Sequence, residues 1–127
     1  MELYDTGNVD GAEEVVAPNV IDHNPATEAV SGIDGMRASI AAVRDGFTGT
    51  EHRILVQQEF PDGWVVLHWQ MTGTHTGDTF GVPASGNPVD INGQDIMRMV
   101  DGKITELYHV EELLKPTQQI SGGTQSA

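Results

Sequence analysis

The chain contains no cysteine, so disulfide bonds and thiolate chemistry are excluded at the outset. Lysine is almost as scarce, with only Lys103 and Lys115. Six basic residues stand against 19 acidic ones, a formal charge of −13. Such a surface repels phosphate backbones and argues against nucleic-acid binding. It would attract cations or a basic partner; the simpler reading is a solvated acidic surface that keeps the protein in solution. No apolar run approaches the roughly 20 residues of a membrane span, and the N-terminus lacks a basic stretch followed by an apolar core. The expectation is a cytoplasmic protein with no membrane partner. The five histidines show no HxH, HxxxH or HExxH spacing, so no metal site is expected.

What remains is an ordinary globular composition, 38% apolar over 127 residues, which suits one domain with a real core. There is no internal repeat. The domain is expected to span residues 1–116, with a polar, mobile tail over 117–127.

Helical signals come first. Met1–Tyr4 reads as the end of a helix. Asp10 with Glu13 three residues later fits a capping pattern, Val15, Val16 and Ala17 give that short helix an apolar side, and Pro18 stops it. Val20–Pro25 reads as a short extended piece. Met36, Ile40 and Val43 place an apolar stripe on a helix over Asp34–Arg44, ended by Gly46. Strand texture follows: Glu51–Phe60, a turn at Pro61-Asp62-Gly63, the run Trp64–Gly73, a Gly/Thr/Pro-rich loop over Thr74–Asn87, and a hairpin from about Val89 turning at Asp101-Gly102. Helices followed by a run of antiparallel strands predict an α+β fold, a curved sheet with helices packed on one face.

The last hairpin brings a carboxylate, Asp95, and an imidazole, His109, onto neighbouring strands. Its turn admits two registers. A two-residue loop sets Asp95 opposite Tyr108 and turns His109 to the other face. A three-residue loop with Gly102 as a left-handed bulge sets Asp95 opposite Leu107, with His109 its diagonal neighbour on the same face, roughly 7–8 Å away. In the second register Asp95, Met97, Leu107 and His109 would face one cavity. A carboxylate and an imidazole in apolar surroundings suit proton abstraction beside a carbonyl. His109, titrating near neutrality, would be the base with Asp95 orienting it, or a desolvated Asp95 would be the base itself. The plainer alternative is that the two satisfy each other in a polar core. Trp69 and Met71 share a strand face and are candidate pocket walls. His68, His75 and Tyr4 are candidate ligand contacts: His68 mid-strand, His75 at a strand end under the loop, Tyr4 at the cavity mouth. His23 is expected to fix the turn before Pro25, and Arg98 to form a surface or dimer-contact ion pair.

Several motifs, in order, resemble one family: Asn8-Val9-Asp10, Ala17-Pro18 with Ile21-Asp22-His23-Asn24-Pro25, Gly73-Thr74-His75-Thr76-Gly77, Gly81-Val82-Pro83, Gly93-Gln94-Asp95-Ile96-Met97-Arg98 and Asp101-Gly102-Lys103-Ile104-Thr105-Glu106. The pattern resembles the SnoaL-like polyketide cyclases of the nuclear transport factor 2-like superfamily. The resemblance implies a cone-shaped α+β barrel with N-terminal helices on the concave face of the sheet, an apolar pocket, and a homodimer formed through the outer sheet surface. It favours the three-residue turn. Two departures stand out. Only the last turn of the family's first helix is recognisable, which predicts a more open mouth or one filled by a partner chain. The family's His on the penultimate strand and Asp near the end of the last one are exchanged here, as Asp95 and His109. Related epoxide hydrolases and steroid isomerases also rely on carboxylates in the cone. The resulting expectation is a cofactor-independent acid–base cyclase, isomerase or hydrolase acting on a hydrophobic carbonyl-bearing small molecule. The rival is a non-catalytic binding or dimerisation protein of the same fold.

Overall fold

The computed structural model describes residues 2–24, 32–79, 82–112 and 118–120. Its elements run α1 (Glu2–Thr6), α2 (Ala12–Val15), β1 (Val16–Asp22), α3 (Gly32–Gly46), β2 (Phe47–Glu59), β3 (Trp64–His75), β4 (Pro88–Val100) and β5 (Lys103–Glu111). The five strands form one sheet in the order β1-β5-β4-β3-β2. Neighbouring strands pair antiparallel except β1, which runs parallel to β5.

That parallel strand corrects the reading of Ala17-Pro18 as the end of a helix. Pro18 lies in an edge strand with its side chain exposed, where a missing N–H costs least. The first capping assignment also moves. Asn8, not Asp10, caps the 3-10 turn Val9–Gly11, its side chain accepting from the Gly11 N–H at 3.1 Å.

Alternation on the strands sends one side inward. Leu67, Trp69 and Met71 on β3 are buried, with Val89 on β4 and Leu107 on β5. Helix α3 covers this face: Ile40 is 1% exposed, Val43 packs on the cluster around Trp69 and Met71, and Met36 packs on Val16, Val20 and Leu107. The helix sits on the concave side because its 3.6-residue apolar stripe packs on that face. At Asp62-Gly63 both residues take positive φ, 65° and 83°, and a Cβ on Gly63 would fall 2.2 Å from the Met99 carbonyl oxygen. This turn is therefore tied to β4; Arg98 Nε donates to the Asp62 carbonyl at 3.2 Å, so Arg98 braces a turn. Ile120 is 1% exposed in the core, and Asn87 donates to the Gln119 carbonyl at 3.0 Å. The mobile-tail reading therefore does not extend to residues 118–120. No helix among the described residues is long and apolar enough to cross a membrane.

Candidate active site

The β4–β5 hairpin decides the site. Asp101 and Gly102 have φ of 53° and 78°, the double positive φ of a two-residue type I′ turn. Val100 pairs with Lys103 and Met99 with Ile104, but Arg98 pairs with Glu106. Thr105 is thus an extra residue on β5, and its hydroxyl donates to the Arg98 carbonyl at 3.2 Å. The three-residue turn favoured by resemblance does not form, yet the bulge has the same effect on facing. It advances the register by one residue, so Asp95 stands directly opposite His109 and both project inward.

The cavity they enter measures about 1870 Å³, larger than the roughly 300–1,000 Å³ of most small-molecule pockets. Trp69, Met71, Met97, Leu107 and Tyr4 line it with Asp95 and His109. Two candidates fall elsewhere. His68 alternates to the outer sheet face, where it borders a shallow groove with Asn92 and Gln94. His75 is fully buried at the end of β3; its Nδ1 accepts from the Ser85 N–H at 3.2 Å and lies 2.8 Å from the Ser85 hydroxyl. It pins the loop after β3 and does not line the cavity. His23 stacks on Tyr108 at 4.1 Å and meets Glu106 at 2.9 Å, on the surface.

His109 is held from two sides. Its Nδ1 lies 2.5 Å from Glu111 and its Nε2 lies 2.9 Å from Asp22. The bond to Glu111 first, and that to Asp22 after it, raise its pKa to about 9 against the opposing effect of burial. At neutral pH it is an imidazolium with both N–H groups occupied. Both ring nitrogens face carboxylates, so neither is free to take a proton from a ligand. Both partners escaped the sequence reading. Glu111 was recoverable from the two-residue period Leu107, His109, Glu111, whereas Asp22 comes from the unforeseen parallel strand.

Asp95 lies under the opposite influence. Burial raises its pKa; the Trp69 indole and the His109 charge pull it back, and Glu111 raises it. The Trp69 N–H acts on Asp95 in this way but is buried without a formed hydrogen bond. It is close enough to the carboxylate to act on it but makes no hydrogen bond of full geometry. The indole lies on Gly93, whose missing Cβ would fall 2.1 Å from Trp69 Cζ2. Tyr4 shares its hydroxyl with Ser39 at 3.1 Å, and burial raises its pKa, so it stays a neutral phenol.

A further imidazole, His52 on β2, also lines the cavity and was missed altogether. Its side chain is 4% exposed and its Nδ1 lies 2.6 Å from Asp5. In sequence it sits in the polar run Glu51-His52-Arg53, and its partner is 47 residues away.

The family model of the SnoaL-like polyketide cyclases matches residues 1–120. The chain belongs to this family. Among its relatives, aklanonic acid methyl ester cyclase DnrD of Streptomyces peucetius is 27% identical over 111 residues, covering 84% of this chain and 74% of that one. Aklanonic acid methyl ester cyclase DauD of Streptomyces sp. (strain C5) is also 27% identical over 111 residues, 84% of this chain and 67% of that one. The solved structure of TsrD from Streptomyces laurentii superposes with a TM-score of 0.83 at 25% identity, covering 93% of this chain and 86% of that one. The SnoaL-like fold is therefore the architecture, an α+β cone with helices on its concave face.

The paired His109 gives this SnoaL-like chain a pH-dependent stability. Its pKa in the fold, about 9, lies above the unfolded value of roughly 6.5. The stabilisation is complete below about pH 6.5 and is lost as pH rises through about 9. A fully shielded shift of this size would be worth about 3 kcal/mol; water reaching the cavity reduces it to roughly 1–2 kcal/mol. Urea melts from pH 6 to 10 should show that decline, and the decline should vanish in His109→Gln.

Proposed function

We propose that this chain is a cofactor-independent cyclase or isomerase that moves a proton beside a carbonyl of a hydrophobic ligand, with Asp95 as the base. The observation carrying this reading is the contrast between the two pocket groups. Burial raises the Asp95 carboxyl toward useful basicity, while His109 is locked as a cation with neither nitrogen free. The exchange of residue types relative to the family therefore exchanges their roles. Asp95 takes the α-proton, and the C–H electron pair passes into an enolate. The buried, unpartnered Trp69 N–H supplies a hydrogen bond to the developing enolate oxygen. His109 balances the negative charge without touching the ligand. Leu107, Met71 and Met97 provide apolar walls that strengthen these electrostatic effects.

Relatives that act on aklanonic acid methyl ester recommend that compound as a first probe, since an ester carbonyl acidifies the adjacent C–H. Incubation in D₂O should show enzyme-dependent deuterium uptake at the α-carbon by NMR, followed by ring closure. Binding with neither exchange nor closure would favour a non-catalytic pocket.

The outer sheet face supports a homodimer. Ile96, Val100, Tyr108 and Val110 are exposed there, Val110 at 70%, a concentration of apolar surface that marks interaction sites. With each subunit at −13, association should strengthen with salt, as screening removes repulsion. Light scattering should give twice the monomer mass, and Ile96→Glu/Val110→Glu should give the monomer mass without loss of helix or strand signal.

A further inference from the structure

His52 has a geometry that the mechanism above leaves unused. Asp5 grips it twice: one carboxylate oxygen lies 2.6 Å from Nδ1, and the other accepts the His52 backbone N–H at 3.0 Å. A carboxylate only accepts, so Nδ1 is the protonated nitrogen. These bonds leave Nε2 for the cavity that His52 lines. Trp69 stands on β3 between β2, which carries His52, and β4, which carries Asp95. The His52 ring centroid is 5.3 Å from that of Trp69, and the Trp69 N–H acts on Asp95. A ligand lying against Trp69 thus has Asp95 at one margin and His52 at the other. His109, by contrast, has no nitrogen to offer.

We propose that His52, held by Asp5, is a second catalytic group of this cavity: its Nε2–H protonates the carbonyl oxygen that ring closure turns into an alkoxide. The proposal rests on the reading of Asp95 as base. The step balances. Asp95 takes the α-proton and becomes a carboxylic acid. The enolate carbon bonds to the second carbonyl carbon of the same ligand, and the C=O π pair moves onto oxygen. That oxygen takes the Nε2 proton of imidazolium His52. Asp95 then returns its proton to His52 through water, so ring closure consumes no net proton.

Burial acts on the two groups in opposite directions. Burial pushes His52 below its ordinary value, and Asp5 opposes that shift. Burial pushes Asp95 above its own. The Asp5 carboxylate on Nδ1–H favours the imidazolium that this step needs, and a positioned protonated imidazole is a competent proton donor. The groups facing His52 are Asp5 and Tyr4 from α1, the uncharged Trp69 and Met71 from β3, and the amino-terminal charge, which lowers it slightly.

Two readouts on aklanonic acid methyl ester separate this proposal from the one beneath it. Deuterium uptake at the α-carbon reports Asp95, and ring closure reports both groups. His52→Gln should keep α-exchange within about threefold of wild type and lose closure by about 100-fold, the lower range for one acid–base group. Its pH profile for closure should lose the falling alkaline limb. Asp5→Asn keeps the imidazole but removes the charge that favours imidazolium, so the limb should move to lower pH. A purely structural Asp5 would lower activity without moving it. Closure by His52→Gln at the wild-type rate, or an unmoved limb in Asp5→Asn, overturns the His52 proposal. Exchange surviving in Asp95→Asn overturns the Asp95 reading instead.

Discussion

Asp95→Asn should abolish proton exchange and lower ring closure by about 10³-fold, while making the protein more stable at neutral pH. The kinetic loss follows from its role, since a positioned acid–base group contributes about 10²–10⁴. Asparagine keeps the size and the hydrogen-bonding edge of the carboxylate but cannot take the proton. The stability gain follows from the direction of the Asp95 shift. Its pKa in the fold is raised, chiefly by burial, so the ionised form is disfavoured by folding relative to the unfolded chain. That penalty is fully present above the folded pKa and disappears as pH falls below the unfolded value of about 3.9. Removing the charge should therefore raise the Tm near pH 7 and change it little near pH 3. Calorimetry at the two pH values checks this. A destabilised Asp95→Asn would mean that the carboxylate is a structural partner in a polar core, the plainer alternative for this pair.

The hairpin shows how far sequence reaches. Asp101-Gly102 announced a turn because both residues tolerate positive φ, and they adopt it. The facing of Asp95 and His109 was not legible, because it depends on one extra residue, Thr105. A bulge of this kind carries no glycine or proline signature. It is paid for by the sheet around it, and here it converts an opposite-face register into a direct pair. The same limit hid Asp5–His52 and Asp22–His109. Local periodicity finds the helix over residues 34–44 and the inward faces of the strands, but not which distant carboxylate meets an imidazole. His68 and His75 mark the converse. His68 sits between the pocket residues Leu67 and Trp69 in sequence, but strand alternation carries it outward, and His75 at the strand end is held by Ser85 of the following loop.

Gly93→Ala should be the most damaging small substitution in the site, costing about 1–3 kcal/mol and most of the activity. Gly93 pairs with Trp69 across β3 and β4, and a Cβ there would fall 2.1 Å from Cζ2, 2.6 Å from Cε2 and 2.6 Å from Cη2 of the indole. The ring cannot retreat easily, because Trp69 belongs to the core cluster of Phe47, Leu67, Met71, Val89 and Ile120. It must turn, and turning takes the N–H away from Asp95 and shifts the surface between Asp95 and His52. Activity should fall further than stability alone explains, with the α-exchange step slowed. Trp69 fluorescence, read in a Trp64→Phe background, should shift to the red as the indole leaves its dry site. The double variant Trp69→Phe/Gly93→Ala separates steric from electronic causes. A phenyl ring lacks the outer atoms that collide, so stability should recover beyond the sum of the single effects. Exchange should stay low, since no N–H remains to meet the enolate oxygen. Recovery of both together would leave the indole as packing only and remove Trp69 from the chemistry.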